Sequence, residues 1–270
     1  MATEPSARYV YCVTTRLERS GFVHPGIDGR PVYPVSHGGL SALVHDCRPQ
    51  PYHGADETVK RWVAEHAAIV DAAWEAAGTV LPMTFDVIIV GHGERSAEEN
   101  LRAWLEHAED QLTASLERFR NKAELGVQIL WNTAKVAQRA SAASAEIARL
   151  EAEMAGKPAG VAYFYRHQIA EALRAALEAK ADADYRTYYE RITPYADDIV
   201  VNRPTSQTER QTILSLSLLV SKQKVAALGD ELTPIAAQEG LEVRFTGPWP
   251  PYSFAAKIAA SLPPGEATAA

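Results

Sequence analysis

The sequence predicts an α+β protein of two domains, and three observations predict it. At 270 residues the chain is near the size at which a single hydrophobic core stops growing. Short runs of β-branched and aromatic residues alternate with longer runs in which apolar residues recur every three or four positions. From about residue 123 the order is strand, paired helices, strand, strand, helix, strand, which is the split βαβ order with an enlarged first crossover. The expected division is an N-terminal α+β domain, 1–122, and a C-terminal domain, 123–270. The first is a small sheet with helices in a modified ferredoxin-like arrangement. The second is a ferredoxin-like βαββαβ domain with a long helical hairpin at about 133–190 in its first crossover.

Composition sets the class. The chain is 47% hydrophobic and 23% charged, an ordinary globular balance. The amino terminus, MATEPSARYV, carries no basic region followed by an apolar one, and no run approaches the roughly 18–20 apolar residues of a membrane span. The expectation is a cytoplasmic protein that does not enter a membrane. The net charge of −7 argues against nucleic acid as a partner, because phosphate binding needs a basic footprint. Cys12 and Cys47 have no CxxC spacing and are expected as buried, reduced thiols.

In chain order, residues 8–15 (RYVYCVTT) read as a strand and 16–31, with Gly21, Pro25, Gly26, Gly29 and Pro31, as a loop. A strand pair over 32–47 turns at His37-Gly38-Gly39. The stripe Val59, Trp62, Val63, His66, Val70, Ala73, Trp74, Ala77 marks a helix that Gly78 ends. VLPMTFDVIIV reads as one strand. Ser96 and Glu99 form a capping box ahead of a helix with the stripe Leu101, Trp104, Leu105, Ala108, Leu112, Leu116, Phe119.

ELGVQILW opens the second half as a strand. The next helix, about 133–155, places Val136, Ala140, Ala143, Ile147, Leu150 and Met154 at alternating steps of four and three, a coiled-coil spacing. Gly156-Lys157-Pro158-Ala159-Gly160 interrupts it before a helix over about 162–190. Two readings stand, an antiparallel hairpin or two helices covering a sheet. Strands follow at 198–202 and 212–221, the latter with Leu214, Leu216, Leu218 and Val220 on one side and Ser215, Ser217 and Ser221 on the other. A helix over about 223–239 ends at Gly240, and LEVRF is the last strand.

Catalytic constellations are missing from the pattern. There is no GxGxxG, no phosphate loop, no GxSxG and no HExxH. His37, His45 and His53 recur at steps of eight, and a facing His37–His45 pair would suit a metal; the plainer reading is solvated hairpin histidines. His66 sits on an apolar stripe and is expected as a satisfied core histidine. Neither a cofactor nor a metal is expected.

The carboxyl-terminal TGPWPPYSFA is distinctive. Its prolines lack the N–H that a sheet ladder uses, so the chain is expected to leave the sheet extended, with Trp249, Tyr252 and Phe254 projecting. Either these aromatics seal the C-terminal core, or Trp249, Pro250, Pro251, Tyr252 and Phe254 meet another protein.

TGPWPPYSF directly after LEVRF closely resembles the signature end of the gas vesicle protein GvpF/GvpL family. YVYCV, HGGLSALV at 37–44, EHAAIVDAA with GTVLPMTF at 65–85, and ELGVQILW extend the resemblance from about Arg8 to Phe254. It departs at Thr84 and Asp86, where the family pattern carries an Arg and a Gly. The resemblance implies a two-domain α+β accessory protein of the gas vesicle with no cofactor and no reaction. It also implies a minor vesicle component that binds the hydrophobic shell protein GvpA, works beside other gas vesicle accessory proteins, and limits shell aggregation during nucleation. The competing classes are an oxygenase-like enzyme binding a small ligand on ferredoxin-like domains, and an RNA-binding module of the same strand order.

Overall fold

The computed structural model describes residues 7–18, 22–203, 210–259 and 267–268; the loop glycine Gly21 lies outside them. The chain forms two compact units, Met1–Glu124 with Pro248–Ala270, and Leu125–Gly247. The second domain drawn from the sequence, 123–270, therefore loses its carboxyl-terminal part to the first unit. The Glu124 carboxylate explains why. It accepts from the Ser253 N–H at 2.8 Å and from the Ser253 hydroxyl at 2.5 Å, while Phe254 and Ala255 are buried.

In the first unit, β1 (Ala7–Thr15) is the central strand. β2 (Tyr33–His37) and β3 (Leu40–Cys47) form the expected hairpin, turning through Gly38 at φ +53°. β3 pairs antiparallel with β1 from Ala7–Cys47 to Thr15–Leu40. The helix α1 (Asp56–Ala77) ends where Gly78 takes the left-handed conformation, and it packs on β1.

The expected single strand over 80–90 is instead two, β4 (Val80–Pro82) and β5 (Ile88–Val90), both paired with β1. Between the Tyr9–Ile88 and Cys12–Pro82 pairs β1 has two residues and its partner five, and on its other side β1 bulges at Tyr11 between the Val10–Val44 and Cys12–Leu43 pairs. Opposite that bulge residues 83–87 leave the ladder, anchored by Met83 N–H to Tyr11 O and Val10 N–H to Val87 O, both 2.9 Å. Asp86 turns the chain at φ +73°, a conformation that favours glycine, the residue the resembled pattern carries there.

The Ser96–Glu99 capping box is present and starts α2 (Ala97–His107). The expected continuous helix bends at Ala108 (φ −99°, ψ 8°) into α3 (Glu109–Phe119), while Leu101, Leu105, Leu112, Leu116 and Phe119 stay buried across the bend.

The second unit opens on β6 (Lys122–Asn132). The expected helix 133–155 is broken into α4 (Thr133–Ala143) and α5 (Ala145–Met154). Ser144 breaks it: its backbone is extended and its hydroxyl accepts the Ile147 N–H at 3.2 Å, so it caps a new helix rather than continuing the old one. Both helices pack along α6 (Ala159–Ile192), giving the antiparallel hairpin. β7 (Asp198–Val201), β8 (Arg210–Ser221), α7 (Val225–Ala236) and β9 (Leu241–Trp249) complete the unit.

The sheet order is β7-β8-β6-β9, the ferredoxin-like arrangement of a βαββαβ chain with the hairpin in its first crossover. Leu214, Leu216, Leu218 and Val220 of β8 join Tyr188, Ile192, Leu228, Leu232 and Ile235 in one core. β9 runs on through Pro248 to Trp249, beyond the expected exit from the sheet. It is an edge strand, so the N–H that proline lacks costs no ladder bond on its outer side. Pro250 and Pro251 then start α8 (Tyr252–Ala259), with Ala255 N–H bonded to Pro251 O at 3.0 Å, so Tyr252 and Phe254 are helical and not extended. A last short strand, β10 (Ala267–Thr268), pairs with β5.

Candidate functional site

Two tyrosines of β1 aim into the core beneath α1, and each holds a histidine. Tyr9 and Tyr11 stand two positions apart on β1, so the two-residue alternation of a strand puts both in the same core. The Tyr9 hydroxyl lies 2.9 Å from His66 Nδ1, and His66 Nε2 lies 3.1 Å from the Met83 carbonyl oxygen. A carbonyl only accepts, so Nε2 carries the hydrogen, and in the neutral ring Nδ1 accepts from Tyr9. The same hydroxyl accepts the Asp86 N–H at 3.1 Å.

The second pair repeats the scheme. Tyr11 accepts the Ile27 N–H at 2.9 Å and donates to His45 Nδ1 at 2.8 Å. His45 Nε2 then donates to the Tyr52 hydroxyl at 2.8 Å, the assignment that strands no proton on Tyr11. The rings touch throughout: Tyr9 stacks on His45 at 5.0 Å between centroids and Tyr11 on His66 at 5.4 Å.

Burial holds both imidazoles neutral, pushing each down to about 4, and for His45 the Arg30 guanidinium adds to the effect. The Tyr9 and Tyr11 hydroxyls are pushed up, again by burial. Asp86 carries a buried carboxyl raised by burial, although both of its oxygens accept the Tyr52 N–H, at 3.1 and 3.2 Å. The cluster thus clamps the 83–87 loop, the 26–27 turn and the 52–53 loop onto β1. Sequence reasoning placed His66 correctly in the core but missed its tyrosine partners. The signal available was YVYCV, whose two tyrosines, two positions apart on a strand, share a side.

The other histidines separate. His37 ends β2, 3.7 Å from a Glu109 oxygen, while His45 lies at the far end of β3 opposite Tyr9, so the two do not face each other. Among the described residues no three His, Cys, Asp or Glu side chains gather as a metal site, and no helix is long and apolar enough to cross a membrane. Cys12 and Cys47 are both buried thiols.

The terminal strip divides. Trp249 is 50% exposed at the end of β9. Pro250 and Pro251 are buried, Phe254 is buried, and Tyr252 is half-buried against the core that holds Tyr9 and Tyr11. A second apolar surface stands at the turn of the hairpin, where Val161, Tyr163 and Phe164 are 44%, 63% and 69% exposed and the two rings meet edge to face at 6.1 Å. Only Tyr188 and Ile192 of α6 are buried, so this aromatic pair stands roughly 37 Å along the helix from that unit's core at 1.5 Å per residue. The sequence signal was VAYFY directly after the Gly/Pro break; the alanine seam drew attention to the hairpin's interior instead.

The fold is that of a two-unit α+β protein with a tyrosine–histidine cluster buried in its first unit and apolar residues exposed at a helical tip of its second. A model of the GvpL/GvpF family, described as gas vesicle synthesis proteins, matches residues 7–256. The chain belongs to that family. It is 34% identical over 266 residues to gas vesicle protein L1 of Halobacterium salinarum, covering 95% of this chain and 92% of that protein. Gas vesicle protein L2 of the same organism is 33% identical over 267 residues, covering 95% and 94%. The crystal structure of the gas vesicle protein GvpF from Anabaena sp. PCC7120 shares the fold, with a TM-score of 0.76 over 93% of this chain and 98% of that one, at 18% identity.

Proposed function

We propose that this chain is a cytoplasmic assembly factor of the gas vesicle that binds the hydrophobic shell protein GvpA and limits its aggregation while a vesicle nucleates, remaining as a minor component beside other accessory proteins. The observation that carries this reading is the exposed Val161–Tyr163–Phe164 tip on a projecting helical hairpin. An aromatic patch with so little else to bury it is a binding surface, since exposed Tyr and Phe act as interface anchors. A shell subunit presents apolar surface before it polymerises. Covering part of that surface reversibly, with a carrier of net charge −7, keeps the subunit dispersed.

Trp249 supplies a second, smaller apolar contact, while Pro250, Pro251, Tyr252 and Phe254 support it from within their unit. The chain acts here as a binding partner and not as a catalyst, because its buried tyrosines and histidines spend their hydrogen bonds on one another and on the backbone. Co-expression of a tagged copy with the shell protein, followed by pull-down and measurement of soluble shell protein, tests the proposal. Co-purification with raised solubility is expected; a folded chain that neither binds nor raises solubility overturns it.

A further inference from the structure

The first unit holds a cavity of about 360 Å³ lined by Arg30, Cys47, Arg48, Gln50, Pro51, Tyr52, His53 and Trp62, within the size range of small-ligand pockets. Its chemistry is uneven in a specific way. Trp62 and Tyr52 meet edge to face at 5.1 Å and form one aromatic wall. Two guanidinium groups and an imidazole border it, and no carboxylate lines it.

The neighbouring carboxylates are already engaged. Asp28 accepts from Trp62 Nε1 and Arg61, both at 2.9 Å, Asp46 pairs with Arg8 at 3.2 Å, and Asp86 takes the Tyr52 N–H. Arg30 gives one N–H to the Asp46 carbonyl oxygen at 3.0 Å and keeps its other donors. Tyr52 accepts from His45, so its own hydroxyl proton has no acceptor among the described residues.

We propose that this cavity binds a carboxylate carried on a short aromatic stem, with the ring against Trp62 and Tyr52 and the carboxylate against Arg30, Arg48 and the Tyr52 hydroxyl. Arginine suits this because its planar fork meets both carboxylate oxygens. A free aromatic acid and the carboxyl-terminal residue of a protein chain present the same group. The site is separate from the hairpin tip, so its failure leaves the assembly reading untouched.

The test is calorimetric titration of the full chain with phenylpropionate, and with a short peptide ending in phenylalanine whose terminus is either free or amidated. Saturable binding of the free acid or the free-ended peptide is expected, with none for the amidated peptide. Tighter binding of the peptide assigns the site to a chain end, and tighter binding of the acid to a small molecule. Arg48→Gln, at an exposed position, should weaken binding at least about tenfold without changing thermal unfolding. Arg30→Gln, also at an exposed position, serves as the second variant should Arg48→Gln disturb the fold. No saturable binding at millimolar ligand, or binding indifferent to both variants, overturns the proposal.

Discussion

The Tyr9 hydroxyl donates to His66 Nδ1 across 2.9 Å while accepting the Asp86 N–H, so one phenol ties β1, α1 and the 83–87 loop together at a fully buried point. The fold depends on that oxygen. Tyr9→Phe keeps the ring and leaves an imidazole nitrogen and a backbone N–H without partners, each costing about 1–3 kcal/mol. The variant should lose about 2–6 kcal/mol in denaturant unfolding, whereas Tyr163→Phe at the exposed tip should stay within about 0.5 kcal/mol of the parent.

The two histidines give stability a defined pH dependence. Each is lowered from 6.5 to about 4 in the fold, so as pH falls through that window the unfolded chain binds protons that the folded chain refuses. Their contribution is fully present above the unfolded value and is lost on acidification, by about 1.4 kcal/mol per pH unit per group. His66→Asn should remove about one proton from the slope of unfolding free energy between those values, measured by denaturant melts at a series of pH. An unchanged slope would mean that His66 is not kept neutral.

Asp86 titrates with the opposite sign. Burial raises its carboxyl, so its charged form weakens the fold near neutrality and protonation relieves that cost as pH falls. Asn keeps an acceptor for the Tyr52 N–H and tolerates the positive φ. Asp86→Asn should be more stable than the parent near neutral pH, by a margin that shrinks on acidification. Asp86→Ala, which loses the acceptor and meets the strained backbone, should be less stable at both ends.

The terminal strip should divide by mechanism. Phe254→Ala removes a buried ring and should cost about 3–5 kcal/mol. Trp249→Ala alters a half-exposed side chain and should cost no more than about 1 kcal/mol. Thermal unfolding of the two variants in parallel checks the difference.

Much of this architecture was legible in the sequence. Local signals marked the Ser96 cap, the Gly78 helix end and the Gly38 turn, because each is fixed by neighbouring backbone chemistry. The β8 leucines were legible because a half-covered strand alternates. The pattern misled wherever a distant partner set the outcome. The 80–90 strand split because five of its residues, 83–87, face only two of β1, and Pro248 stayed in the ladder because β9 is an edge strand. Residues after Pro248 joined the first unit through Glu124, 129 positions away from Ser253. Of the terminal strip only Trp249 was left exposed, and the larger apolar surface lay at Tyr163 and Phe164, where periodicity alone shows a helix but not what it stands free of.

The central claim is that the hairpin tip meets apolar shell protein. The most direct measurement is the soluble yield of co-expressed shell protein with the parent chain and with the double variant Tyr163→Ser/Phe164→Ser. The parent should co-purify with shell protein and raise its soluble fraction, and the double variant, equally folded by circular dichroism, should lose most of both. Equal recovery with parent and variant would contradict the assignment of this surface.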